Sequence, residues 1–134
     1  MWVVDTNVAI HLRDGEEGIE ARISELGGRM AISVVTLVEL EGGIHRDSTQ
    51  TDRLRPRLDA MLEALDILPF ERQEAEIYGE IVSMLGYSRP RLLDRMIAAQ
   101  AIAADATLIT INGADFKGIQ GLNLEIWPSP PPLA

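Results

Sequence analysis

Along this chain, short uninterrupted apolar runs alternate with longer stretches in which hydrophobic residues return every three or four positions. The runs have the length and the β-branched or aromatic character of strands buried on both faces, and the periodic stretches have the spacing of helices with one apolar side. Residues 2–4, Trp-Val-Val, make the first run, which stops abruptly at Asp5-Thr6-Asn7. A short helix is expected through His11, ended by Asp14-Gly15; Ile19, Ile23 and Leu26 mark the face of a second, closed by Gly27-Gly28. The second run, residues 30–35, leads into a helix carrying Leu37, Leu40 and Ile44. After a polar turn at 47–51, Leu54, Leu58, Met61, Leu62 and Leu65 form the next helical face, which Pro56 kinks without destroying. Residues 67–70 read as a third strand, assigned to a sheet edge because Pro69 cannot donate to a ladder. Ile77, Tyr78, Ile81, Val82 and Leu85 give a helix stopped by Gly86, and Asp94 opens another whose face is Ile97, Ala101 and Ile102. Residues 107–111 and 124–127 read as the last strands, separated by the turn chemistry of Asn112-Gly113-Ala114-Asp115-Phe116.

Strands alternating with amphipathic helices predict an α/β fold: a parallel sheet covered on both faces and joined by right-handed crossovers. A length of 134 residues suits one domain, taken as residues 1–127, with a loose Pro-rich tail at 128–134 that holds four of the seven prolines. Cysteine is absent, which excludes disulfides and thiolate metal sites. No basic-then-apolar leader precedes Asp5 and no apolar run has the length of a membrane span, so a cytoplasmic protein without a membrane partner is expected.

The net charge of −9 argues against gripping nucleic acid by bulk electrostatics. Eleven of the twelve basic residues are nevertheless arginine, the side chain suited to bidentate phosphate contacts. They fall in two clusters, Arg46, Arg53, Arg55 and Arg57, then Arg89, Arg91 and Arg95, each of which also reads as a solvated helix face.

In a parallel sheet every strand ends at the same edge, and every returning helix starts there. Asp5 ends the first strand, Glu39 lies in the first turn of the helix after the second, Asp94 opens the helix before the fourth, and Asp115 lies just beyond the fourth. Four carboxylates distant in sequence are thereby delivered to one rim. Each has a structural explanation of its own: Asp5 and Asp94 as helix N-caps, Thr36-x-x-Glu39 as a capping box, Asp115 as a solvated turn residue. Together they would repel strongly unless protons or a cation joined them. An oxygen-only donor set suits a hard ion, Mg²⁺ or Mn²⁺, and such an ion at an open sheet edge is suited to hydrolysing phosphodiesters. Thr6, Asn7, Thr110 and Asn112 flank the acids as candidates for orienting ligands or water; His11 and His45 sit in predicted helices without carboxylates at ligand spacing.

Val-Val-Asp5-Thr-Asn, Thr36-Leu-Val-Glu39-Leu40 followed by Gly43, Asp94-Arg-Met-Ile-Ala-Ala, and Leu-Ile-Thr-Ile-Asn112-Gly-Ala-Asp115-Phe116 together resemble the four signature segments of the PIN-domain ribonucleases. Their order, spacing and nearly full coverage are most similar to the VapC toxins of bacterial toxin–antitoxin pairs. The resemblance implies a three-layer α/β/α sandwich, endonucleolytic cleavage of RNA with Mg²⁺ or Mn²⁺, a homodimer, and inhibition by a cognate VapB-type antitoxin whose basic tail a negative rim would attract. It assigns Asp5, Glu39, Asp94 and Asp115 as the catalytic and metal-binding acids, with Asn7 and Asn112 as polar companions. The family often carries a basic residue before that asparagine, where this chain has Ile111. Arg89, Arg91 and Arg95, next to Asp94, are the expected RNA contacts. Two rival readings are a phosphatase working through an aspartyl intermediate and a PIN-like RNA- or protein-binding module whose acids serve only as caps. Asn7 at the third position of Asp5-Thr-Asn and a single lysine, Lys117, disfavour the former.

Overall fold

The computed structural model describes residues 1–131; residues 132–134, the end of the expected tail, lie outside the described residues. Five strands, β1 (Trp2–Val4), β2 (Met30–Ser33), β3 (Asp66–Leu68), β4 (Thr107–Thr110) and β5 (Asn123–Ile126), form one sheet in the order β3-β2-β1-β4-β5. Every pairing is parallel, with Val3 opposite Ala31 on one side and Leu108 on the other. Six helices connect them: α1 (Thr6–Arg13), α2 (Glu17–Glu25), α3 (Val34–His45), α4 (Thr51–Glu63), α5 (Arg72–Leu85) and α6 (Leu92–Ala103). A short 3-10 turn, Gly113–Phe116, follows β4.

Successive strand residues point to opposite faces, and the core divides accordingly. Val3, Ala31 and Leu108 pack with Ile81 of α5 and Ile97 and Ala101 of α6. Val4, Ile32 and Ile109 pack with Val8 of α1, Leu40 and Ile44 of α3, and Leu54 and Leu58 of α4. The α/β/α sandwich implied by the family resemblance is thus built from one alternating register per strand. Strand β3 lies at the edge that Pro69 predicts, and Pro56 lies inside α4, which continues past it to Glu63. Among the described residues no helix is long and apolar enough to cross a membrane.

Two helix starts differ from the sequence reading. The second apolar run is part strand and part helix: β2 ends at Ser33, whose Oγ accepts from the Val35 amide at 2.8 Å and caps α3. Thr36 is therefore inside the helix and Glu39 in its second turn, so no capping box forms between them. Helix α6 begins at Leu92 after Arg91, which places Asp94 within the first turn rather than at the cap, where its negative charge favours the helix dipole.

The carboxyl edge is braced by one buried amide. Gln100 of α6 is 2% exposed; its Oε1 accepts from the Ser33 hydroxyl, and its Nε2 donates to the Leu68 and Pro69 carbonyls, both at 2.9 Å. Gln100→Leu keeps much of the volume and leaves the hydroxyl and both carbonyls unpaired. Since each orphaned buried group costs about 1–3 kcal/mol, the substitution is expected to lower stability by about 3 kcal/mol, read as a fall in the urea midpoint; an unchanged midpoint would refute the brace.

Candidate functional site

Strand β1 delivers Asp5 to the carboxyl edge, where the chain turns into α1. Its carboxylate caps that helix, Oδ1 accepting from the Val8 amide at 3.0 Å, while Oδ2 accepts from the Thr110 hydroxyl at 2.5 Å. Thr110 Oγ1 in turn accepts from the Asn112 amide at 2.9 Å, so a single hydroxyl couples Asp5 to the turn that carries Asp115. Asp5 is 5% exposed. Burial pushes its pKa up, the bonds from Thr110 and Val8 pull the other way, and the nearby Asp115 adds to the rise.

Glu39 reaches the same edge from α3. Thr6, the first residue of α1, donates to Glu39 Oε1 at 2.7 Å, and the Thr6 and Thr36 hydroxyl oxygens lie 3.0 Å apart. Asp94 projects from the first turn of α6. Asp115, in the 3-10 turn, accepts from Arg91 Nη1 in an ion pair.

Asp5, Glu39, Asp94 and Asp115 line one open cavity of about 300 Å³, with Thr6 and Asn7 between them and Arg13 and Arg46 also on its walls. The cost of this crowding shows at Asp94, whose pKa is pushed up to about 6, first by burial and then by Asp115 and Asp5. Carboxylate and hydroxyl oxygens of this kind fit a hard divalent cation. Among the described residues, however, no three acidic or histidine side chains already stand as a metal-holding group. Arg91 pairs with Asp115, and Thr6 holds one oxygen of Glu39, Oε1.

The polar companions divide in two. Thr6 and Thr110 bond directly to acids, and Asn7 lines the cavity; Asn112 contributes its backbone amide to Thr110 and makes no side-chain cap to the 3-10 turn. The arginines next to Asp94 also part company. Arg89 is exposed and Arg91 is half-buried on Asp115, whereas Arg95 is 8% exposed and donates through Nη1 to the Gly86 carbonyl at 2.7 Å. Arg95 therefore braces the turn after α5 and is not presented to RNA, because one step along a helix rotates a side chain by about 100°. Thr36, Arg13 and Arg46 were not singled out for the site by the sequence. Thr36 carried a signal, its three-residue spacing from Glu39, which places both on one face of α3.

The raised pKa of Asp94 makes a stability prediction. Its folded value of about 6 exceeds the ordinary aspartate value of 3.8, so the folded state holds the proton more tightly. The stability this adds is complete below about pH 4 and is lost as pH rises through about 6. Without divalent ions, Asp94→Asn is therefore expected to melt about 2–4 °C above the parent at pH 7.5, allowing for solvent screening, and level with it at pH 4. An equal or lower melting temperature at pH 7.5 would show that the charge is not under strain.

Comparison with known proteins bears on the identity of this edge. The sequence model described as "PIN domain" matches residues 2–122. Ribonuclease VapC2 of Rickettsia felis is 31% identical over 134 aligned residues, covering 95% of this chain and 98% of the relative. The tRNA(fMet)-specific endonuclease VapC of Shigella flexneri is 29% identical, with 94% and 97% covered. Among solved structures, a chain of the Rickettsia felis VapBC2 complex bound to a promoter DNA fragment superposes with a TM-score of 0.84 at 28% identity, covering 94% of this chain and 98% of that one. A chain of DNA-bound VapBC from Salmonella typhimurium gives 0.82 at 28% identity, with 94% and 97% covered. Together with the parallel sheet and its acidic rim, these matches establish that the chain belongs to the PIN domain family, among the VapC ribonucleases of toxin–antitoxin systems.

Proposed function

We propose that this protein hydrolyses RNA phosphodiesters within strands, using Mg²⁺ or Mn²⁺ held by Asp5, Glu39, Asp94 and Asp115. The observation that carries the reading is the meeting of four carboxylates, from just beyond the ends of β1 and β4, the second turn of α3 and the first turn of α6, around one cavity in which Asp94 is already driven toward protonation. When bound, a divalent ion supplies positive charge against a phosphodiester oxygen and lowers the pKa of water. The chain's own residues do the rest. Asp5 is held by Val8 and Thr110, and Asp115, paired with Arg91, would contribute its carboxylate beside it. Exposed Arg89, Arg91 beside Asp115 and Arg46 on the cavity wall are the guanidinium groups available to RNA phosphates.

The partners follow from the same features. A VapB-type antitoxin with a basic tail is the cognate inhibitor, supported by the VapBC complexes among the structural neighbours and by a chain of net charge −9. Met84, Tyr87 and Leu93, exposed at 60%, 70% and 43% around the α5–α6 connection, offer an apolar surface for the second subunit of a homodimer.

Two measurements test the nuclease reading. Asp5→Asn retains a capping side chain and is expected to lower cleavage of a single-stranded RNA by about a hundredfold or more. A chelator should abolish parent cleavage and Mn²⁺ restore it; chelator-resistant cleavage, or an Asp5→Asn variant as fast as the parent, would overturn the proposal. Arg46→Ala should raise KM several-fold with kcat little changed. It should also flatten the salt dependence of binding by one phosphate contact, a slope change of about 0.7 in log K against log salt for single strands; an unchanged slope would remove Arg46 from the RNA path.

A further inference from the structure

We infer that Thr36 is a positioning residue that fixes the Glu39 carboxylate for ion binding through a two-hydroxyl chain; the inference rests on the metal site proposed above. Thr36 is fully buried in the first turn of α3, on the helix face that carries Glu39 one turn later. Its Oγ1 lies 3.0 Å from that of Thr6, which lies 2.7 Å from Glu39 Oε1.

Counting protons fixes the direction of this chain. A threonine hydroxyl has one proton to give, and an ionised carboxylate can only accept. The Thr6 proton goes to Glu39, so the proton between the two threonines belongs to Thr36. The order is Thr36 to Thr6 to Glu39, and donation into the Thr6 oxygen strengthens the bond that Thr6 makes.

The consequence is positional. Glu39 is an exposed residue on a long side chain, and the Thr6 hydroxyl is what anchors it over the cavity. Thr6 directly follows Asp5, which is itself fixed by Thr110 and Val8. The chain therefore sets the spacing between two acids on different helices, and its far end is a residue that touches neither RNA nor ion. When Glu39 turns to coordinate, the two hydroxyls limit how far it swings.

The test uses Mn²⁺ alone as the probe on the purified, metal-stripped protein. Thr36→Val keeps the shape and removes the hydroxyl; Thr36→Ser keeps the hydroxyl and removes the methyl. Thr36→Val is expected to weaken Mn²⁺ binding, measured by titration calorimetry, by about tenfold. The Mn²⁺ needed for half-maximal cleavage should rise by the same factor, with kcat at saturating Mn²⁺ close to the parent's. Thr36→Ser should bind Mn²⁺ like the parent. Parent-like Mn²⁺ binding by Thr36→Val overturns the inference while leaving the metal site standing, and so does equal weakening in both variants, which would mean packing rather than a hydroxyl. If the parent itself binds no Mn²⁺, the metal site fails and this inference with it. Should Thr36→Val not fold, Thr6→Val and Thr6→Ser read the same chain from its middle: weakened binding in the former alone supports it, and equal behaviour overturns it.

Discussion

Repulsion between like charges at one edge of a sheet is the constraint around which this molecule is arranged. A parallel sheet gives every strand end the same destination, and here those ends and the helices beside them bring acids into a common cavity. Several local devices oppose the repulsion: a helix amide and a hydroxyl on Asp5, a hydroxyl on Glu39, a guanidinium on Asp115. A hydrogen bond to a charged group contributes about 1.5–3 kcal/mol, whereas two unit charges 4 Å apart at a protein surface repel by about 4 kcal/mol. The raised pKa of Asp94 comes first from its burial and then from the charges of Asp115 and Asp5, which these devices do not cancel at that position. Positive charge relieves such crowding, as the Arg91–Asp115 pair shows within the chain itself.

How much of this was legible in the sequence depended on whether the signal was local. Asp5 could be placed because a β-branched run ending in a capping residue is a short-range pattern, and β3 could be assigned to an edge from Pro69 alone. Met30 to Val35 was read as one strand because Val34 and Val35 suit a helix or a strand equally in so short a window. The Ser33 cap that divides them depends on Gln100, which is 67 residues away. The same displacement turned Thr36 from a supposed cap into a buried hydroxyl. Neither the order of the strands nor the meeting of α1 with α3 has a counterpart in periodicity, so Arg13 and Arg46 emerged only from packing.

Net charge does not say where on a surface positive charge is left available. Of the first arginine cluster, Arg55 is held by Glu41 and Asp59, Arg53 by Gln50 and Arg57 by the Asp14 carbonyl. Arg46 is the member of that cluster that borders the acidic cavity. Within that cluster a basic group is left beside the cavity because its fellow arginines are held by neighbours.

The position of β1 has a consequence for synthesis. Trp2–Val4, the earliest of the five strands in chain order, lies in the middle of the sheet between β2 and β4, and the bond from Thr110 to Asp5 spans 105 residues. A nascent chain on the ribosome can pair its opening strand with Met30–Ser33 early, yet the other flank stays bare until Thr107–Thr110 clears the exit tunnel. The acidic edge cannot close from the first half of the fold alone: Asp5 gains its Thr110 partner, and Asp115 its place beside the cavity, only when β4 docks on β1.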